Sequence, residues 1–82
     1  QLRLPLNKRR IMRERVYKAL VKKYEFEQED ALLKIDLLLV NSGSNAVMVD
    51  HVDITGEIDK LLGKCASASE KVAILRRFYG SN

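Results

Sequence analysis

Residues 31–45 read ALLKIDLLLVNSGSN, an apolar segment that runs directly into a loop of turn-forming residues. The conformation of the apolar part decides the fold class, because its pattern is compatible with a helix and with a strand. Leucine is a strong helix former, and the segment contains few of the β-branched residues that strands prefer. We therefore predict a helix over residues 31–40. Its inward-facing side chains are expected to be Leu32, Ile35, Leu38 and Leu39.

The alternative for the same segment is a strand. Within residues 33–40 apolar and charged side chains partly alternate, and residues 46–52, AVMVDHV, also have β-branched content. Two strands of this kind would form a β-hairpin around the polar loop at 41–45.

Upstream of this segment, the pattern predicts a strongly basic amphipathic helix from Lys8 to about Tyr24. Pro5 lacks an amide donor, so residues 1–6 are expected to form an extended arm that leads into the helix. The acidic residues 25–30, EFEQED, are either the last turn of this helix or a link to the next one. The arc of the helix predicted to face the core contains Met12, Val16, Ala19, Leu20 and Tyr24.

Downstream of the loop, two more helices are predicted. One begins near Asp53 or Thr55 and carries apolar residues at spacings of three and four, which are typical of a core-facing stripe. The next begins at a capping box formed by Ser67 and Glu70 and ends at Gly80, where a left-handed cap is expected. The predicted core residues of these two helices are Ile58, Leu61, Leu62, Cys65, Val72, Leu75 and either Phe78 or Tyr79.

The whole chain is predicted to be all-α, a single small bundle of about four helices with short loops. Its 82 residues leave no room for two independent cores, so residues 1–82 are expected to form a single helical domain. The chain begins with Gln1, which indicates a fragment of a longer protein. A single cysteine, Cys65, excludes an internal disulfide and favours an intracellular location, in the cytoplasm or the nucleus. The longest apolar run, Leu37–Val40, is too short for a membrane span, so no membrane partner is expected.

The net charge of +4 conceals three blocks of alternating sign. Residues 3–23 carry a charge of +8, residues 24–62 a charge of −7, and residues 63–82 a charge of +3. Such segregation indicates either an anion-binding surface or the internal docking of a basic helix on acidic ones. The net charge alone therefore does not argue for nucleic acid. The direction in which the basic side chains point decides between the two interpretations.

Phosphate binding requires several cations presented at helical spacing, and the first helix supplies them. We therefore expect a non-catalytic binding module whose basic N-terminal helix binds nucleic acid or another polyanion. The predicted nucleic-acid-binding residues are Arg9, Arg10, Arg13, Arg15, Lys18, Lys22 and Lys23.

The alternative function is a protein-interaction or assembly domain. In that case the basic helix docks on an acidic protein surface, and the chain forms a homo-oligomer or part of a larger assembly. An outward-facing apolar patch, for example Leu37, Leu39 and Val40, would favour this alternative.

No catalytic or metal site is predicted. His51, within DHVD, is the only histidine, and its acidic neighbours lie too close along the chain to converge on one ion. Cys65 falls on the predicted apolar stripe and is expected to be a buried small hydrophobe. No glycine-rich phosphate loop is present, so no cofactor is expected. A helix-turn-helix over residues 56–78 is a further interpretation, but its connection, CASAS, is longer than that motif uses.

Residues 31–62 resemble the second and third helices of the chaperone-binding BAG domain. The motifs that carry the resemblance are LLKIDLLL, a glycine-bearing loop and then DITGEIDKLL, and they cover less than half of the chain. The resemblance implies a helical module that regulates a chaperone, as one form of the protein-interaction alternative. The sequence departs from that family at residues 50–53, DHVD, which replace the basic cluster that opens the family's last helix.

Overall fold

The computed structural model describes residues 4–44 and 51–80. The described residues form two α-helices, α1 over Leu6–Ser44 and α2 over His51–Tyr79. The helices pack antiparallel in an elongated hairpin that measures 63 × 23 × 19 Å. The all-α prediction is confirmed for this part of the chain, whereas the prediction of a bundle of about four helices is wrong. The protein is a helical hairpin.

α1 runs without a break through residues 25–30, the candidate link between the first two predicted helices. Glutamate and glutamine are good helix formers, and neither glycine nor proline occurs between Leu6 and Ser42. An ion pair one turn apart, from Lys34 Nζ to Asp30 Oδ2 at 2.9 Å, further supports the helix at this point. Two predicted helices are therefore one.

The strand alternative is wrong for residues 33–40, which lie within α1. Of its second strand, residues 46–50 lie outside the described residues, and residues 51 and 52 open α2. The leucine-rich composition of residues 33–40 therefore predicted the correct secondary structure, a helix. The partial alternation of apolar and charged residues, which favoured a strand, did not.

α2 is likewise a single helix where two were predicted. Gly63 and Ser67 lie inside it, so the start of a separate helix at the capping box of Ser67 and Glu70 is wrong, as is a helix-turn-helix. Glycine costs roughly 1 kcal/mol in a helix relative to alanine. Leu61 and Ala68 are both buried, and full burial of a leucine side chain contributes about 1.5–3 kcal/mol. Packing along α1 therefore outweighs the weak local break.

The two helices meet along a seam whose residues are alternately four and three positions apart on both helices. This is the spacing of a two-stranded coiled coil, in which the side chains of each helix pack between those of the other. Ala31, Ile35 and Leu61 form the buried centre of the seam, and Ala68 and Val72 are also buried. The seam consists of Tyr17, Val21, Tyr24, Gln28, Ala31, Ile35 and Leu38 on α1 and of Ile54, Ile58, Leu61, Cys65, Ala68, Val72 and Leu75 on α2.

The seam is narrower than the core stripes predicted for each helix separately. Ile35 and Leu61 are buried as predicted, but Met12 and Val16 are 52% and 55% exposed. A single neighbouring helix covers only one strip of α1, and α2 ends before it reaches those two residues. The other predicted core residues that are exposed are Ala19, Leu32, Leu39, Leu62, Phe78 and Tyr79.

The ends of the hairpin also differ from expectation. The backbone amide of Arg9 donates a hydrogen bond of 2.9 Å to the carbonyl of Pro5. The first turn of α1 therefore begins inside the predicted extended arm. At the other end, the amide of Gly80 donates to the carbonyl of Arg76 at 3.2 Å. No glycine in the described ranges has a positive φ, so the predicted left-handed cap at Gly80 does not form.

Candidate nucleic-acid interface

The first turns of α1 extend past the end of α2. A β-carbon placed on Gly80 would lie 3.2 Å from the hydroxyl oxygen of Tyr17, so the chain that follows α2 reaches α1 at Tyr17. Every residue from Leu4 to Val16 is exposed. We call Leu6–Val16 the basic extension; it spans about three helical turns. It carries five cations, Lys8, Arg9, Arg10, Arg13 and Arg15, and one acid, Glu14.

The predicted nucleic-acid-binding residues are all exposed and all lie on α1. In the described part of the chain, the ion pairs join Lys34 to Asp30 and Arg76 to Glu25, and neither pair uses a residue between 8 and 23. Among these described residues, therefore, no carboxylate of the acidic block forms an ion pair with the cations of residues 8–23. The exposed residues are Arg9, Arg10, Arg13, Arg15, Lys18, Lys22 and Lys23.

These seven side chains do not share one face of α1. Arg10 and Arg13 line an open groove of about 630 Å³ at the end of α2. Arg15, Lys18 and Lys22 lie on a different arc, because successive residues of a helix are rotated by about 100°. The apolar wall of the groove is formed by Met12, Val16, Leu20, Leu75 and Tyr79.

Lys23 differs from the other six because an aromatic ring lies beside its ammonium group. Its Nζ is 5.5 Å from the centre of the Tyr24 ring, and Lys71 Nζ on α2 is 5.0 Å from the same ring. Two cations on one half-buried ring favour a local cation–π contact for Lys23.

Side chains of metal-ligating types do not converge in the described part of the chain. Among the described residues, no group of three or more histidine, cysteine, aspartate or glutamate side chains is placed to hold a metal ion. His51 is the first residue of α2, and its side chain lies outside the described part. Cys65 is half-buried and packs against Ala31, Ile35 and Leu61, which agrees with its predicted role as a small hydrophobe.

The sequence predictions missed a second apolar stripe on α1, on the side away from α2. Phe26 is 68% exposed and Val40 is 64% exposed, and both belong to this stripe. The signal was present in the sequence, because apolar residues recur here at intervals of seven. We call the set the outer stripe; it consists of Met12, Val16, Ala19, Lys23, Phe26, Asp30, Leu33, Leu37 and Val40.

Comparison with known protein families, curated proteins and solved structures finds no match to this chain. The segment that resembles the BAG domain, residues 31–62, is divided between the end of α1 and the start of α2. Within the described ranges, neither helix combines the length and the apolar character that crossing a bilayer requires.

Proposed function

We propose that this protein is a non-catalytic binding module and that its basic extension binds nucleic acid through the phosphate backbone. The observation that carries the proposal is the exposure of Lys8, Arg9, Arg10, Arg13 and Arg15 on a helical segment that α2 does not cover. This segment presents its cations to solvent on several sides, and one side lines the groove beside Leu75 and Tyr79.

The dimensions and the charge of the extension suit a polyphosphate. Eleven helical residues span about 16 Å, and duplex DNA carries one negative charge per about 1.7 Å of its axis. Several phosphates therefore lie within reach of the extension at once. Each contact releases condensed counterions, so the affinity falls as salt is added. Contacts of this kind position the protein on the nucleic acid without reading its sequence.

The experiment is a fluorescence anisotropy titration of labelled duplex DNA, single-stranded DNA, duplex RNA and single-stranded RNA. Each is measured between about 50 and 200 mM salt, and log K is expected to fall against log salt with a slope of about −0.9 for each duplex phosphate neutralised. The triple variant Arg9→Gln/Arg10→Gln/Arg13→Gln is expected to bind at least tenfold more weakly and with a shallower slope.

The matched control removes the same charge from exposed positions on α2, as Lys60→Gln/Lys64→Gln/Lys71→Gln. It is expected to retain most of the affinity, because these cations lie away from the extension. Absence of binding at low salt, or an equal loss in both triple variants, would show that the extension is not a nucleic-acid site.

A protein-assembly role is the second candidate, because one specific observation favours it. Leu37, Leu39 and Val40 are 52%, 53% and 64% exposed, which is the outward apolar patch expected of that class. This patch lies near the opposite end of α1 from the basic extension, so the two roles are compatible.

A further inference from the structure

The outer stripe repeats the spacing of the seam. Its members are alternately four and three residues apart from Met12 to Leu33, and Leu37 and Val40 continue the pattern. The seam packs against a helix, whereas the outer stripe has no helix on it in this hairpin. At about 100° per residue the two stripes point about 150° apart, so α2 covers the seam and leaves most of the outer stripe open. Only Met12 and Val16 come near α2, where they share the groove with Leu75 and Tyr79.

The exposure of this stripe is a continuous feature of α1 rather than a set of isolated side chains. Met12, Val16, Leu33 and Leu37 are 52–56% exposed, and Phe26 lies between them at 68%. Half-exposed apolar residues at coiled-coil spacing, interrupted here by Lys23 and Asp30, are typical of a helix that packs on another helix.

Charges along one edge of the stripe identify the occupant. Arg15, Lys22, Glu29 and Asp36 are spaced seven residues apart, so they form a line beside the outer stripe. The line is basic over its first half and acidic over its second half. All four residues are exposed, and none takes part in the two ion pairs of the described residues.

We propose that the outer stripe of α1 binds the outer stripe of a second copy of this chain in the antiparallel direction. In that arrangement Arg15 lies opposite Asp36 of the second copy, and Lys22 lies opposite Glu29 of the second copy. Two-fold symmetry repeats each pair, as required of an isologous dimer. A parallel arrangement in register would instead place Lys23 against Lys23 and Asp30 against Asp30 within the layers between the two helices, which is destabilising.

The same register matches the apolar residues. Layers of an antiparallel coiled coil pair Met12 with Leu37 of the second copy, and Val16 with Leu33 of the second copy. In the central layers, Lys23 lies beside Phe26 of the second copy, where its aliphatic stem can pack on the ring.

Three kinds of contact in this register are unfavourable. Arg9 lies opposite Val40 of the second copy, and the other two kinds involve one existing ion pair. Arg13 lies opposite Lys34 of the second copy, and Ala19 lies opposite Asp30. Lys34 and Asp30 already neutralise each other at 2.9 Å within α1, which reduces the cost of both contacts. The four attractive edge pairs and the four apolar layers outweigh them.

The dimer does not rest on nucleic-acid binding. It engages Arg15 and Lys22 with carboxylates and places Arg13 beside Lys34 of the second copy, whereas Arg10 lines the groove at the end of α2 and remains open to an external anion. Failure of either proposal leaves the other intact, since the Arg9/Arg10/Arg13 triple variant removes none of the attractive edge contacts.

The first experiment is sedimentation equilibrium of the chain from about 1 to 100 μM, the range in which moderate associations are resolved. A monomer–dimer equilibrium is expected. Leu33→Asp/Leu37→Asp should shift the chain to monomer with its helical circular dichroism retained, since both residues are already exposed in the hairpin. The matched control, Leu62→Asp/Ile74→Asp on the outside of α2, should still dimerise.

The second experiment swaps charges and leaves every apolar residue in place. Arg15→Glu/Lys22→Glu makes the whole edge acidic and should raise the dissociation constant at least tenfold. The further changes Glu29→Lys/Asp36→Lys on the same chain restore opposite charges and should restore the dimer.

The third experiment reads the direction of packing in a Cys65→Ala background. An equimolar mixture of Val16→Cys and Leu33→Cys chains should form an intermolecular disulfide, since the register places these positions opposite each other. Val16→Cys alone should not, because its two copies would lie about 25 Å apart. A chain that stays monomeric, a dimer that survives Leu33→Asp/Leu37→Asp, or a disulfide with Val16→Cys alone would overturn the proposal.

Discussion

The guanidinium of Arg76 donates a hydrogen bond to the carboxylate of Glu25, with 2.9 Å between Nη2 and Oε2. The two residues are 51 positions apart in the sequence and lie on opposite helices. This contact and the position of Lys71 over the Tyr24 ring are both consistent with the same antiparallel register of the two helices. The side chains are 59% and 49% exposed, so the pair reports the register of the hairpin more than it stabilises it.

A double-mutant cycle on this pair should therefore give a small coupling energy. Glu25→Gln and Arg76→Gln are each expected to lower the free energy of unfolding by less than about 1 kcal/mol, with a coupling of about 0.2–1 kcal/mol, because solvent screens an exposed pair. Urea denaturation at low and at high salt measures both quantities, and the coupling should shrink as salt is added. A coupling above about 2 kcal/mol would mean that the pair is far less hydrated than its exposure indicates.

Ile35→Ala should be among the most damaging single changes to the hairpin. Ile35 is 8% exposed and packs with Ala31 and Leu61, so truncation leaves a cavity at the centre of the seam. A loss of about 2–4 kcal/mol is expected. Leu62→Ala, at a leucine that is 52% exposed on α2, serves as the control and should cost less than about 1 kcal/mol. The free energy of unfolding is measured by urea denaturation at one protein concentration. Equal decreases for Ile35→Ala and Leu62→Ala would contradict the burial of Ile35 in the seam.

Enlarging Ala68 should also be destabilising. Ala68 is 1% exposed in the seam, so a larger side chain at this position has to fit between the two helices. Ala68→Leu is expected to cost about 1–3 kcal/mol through overpacking. Ala66→Leu lies on the exposed side of α2 and should change the free energy of unfolding by no more than about 0.5 kcal/mol. The midpoint of thermal unfolding separates the two variants; similar midpoints would mean that the seam is loosely packed at Ala68.

The glycines of α2 predict opposite responses to alanine. At Gly63 and Gly56 an added β-carbon meets nothing within 4 Å, so Gly→Ala should stabilise the helix by about 0.5–1 kcal/mol at each position. At Gly80 the same β-carbon would lie 2.6 Å from the carbonyl oxygen of Arg76, so Gly80→Ala must displace the end of α2. The expected order of melting temperature is Gly63→Ala above the unchanged chain and Gly80→Ala below it. The reverse order would show that the end of α2 lies elsewhere.

Helix was predictable along most of the described chain, whereas the number of helices was not. Residues 25–30 and the stretch around Gly63 are weak local breaks, each affecting stability by about 1 kcal/mol or less. Whether a weak break ends a helix depends on the apolar surface buried on either side of it, and that surface exists only after the two helices pair. The recurrence of apolar residues every seven positions along each full helix indicated that the helices continue through the weak breaks. Examining each short predicted helix separately did not reveal that recurrence.

The basic segment of the candidate site could be located from sequence, but its orientation could not. Nine cations and a single acid within residues 3–23 identify the segment without any structure. Met12 and Val16 have the spacing of core residues, so the sequence alone predicted that both are buried. In the structure, α2 does not extend far enough along α1 to bury them. The position of Tyr17 opposite Gly80 is what leaves this part of α1 uncovered.

The sequence by itself determined that the described chain is helical, that its charge is segregated, and that Ile35, Leu61 and Val72 face inward. Composition and spacing within one helix are enough for such properties, because they depend on neighbours a few residues away. The tertiary structure decided that there are two helices, that the cations on α1 face the solvent, and that the outer stripe stays open. Those outcomes depend on which strip of α1 the single neighbouring helix covers and where that helix ends.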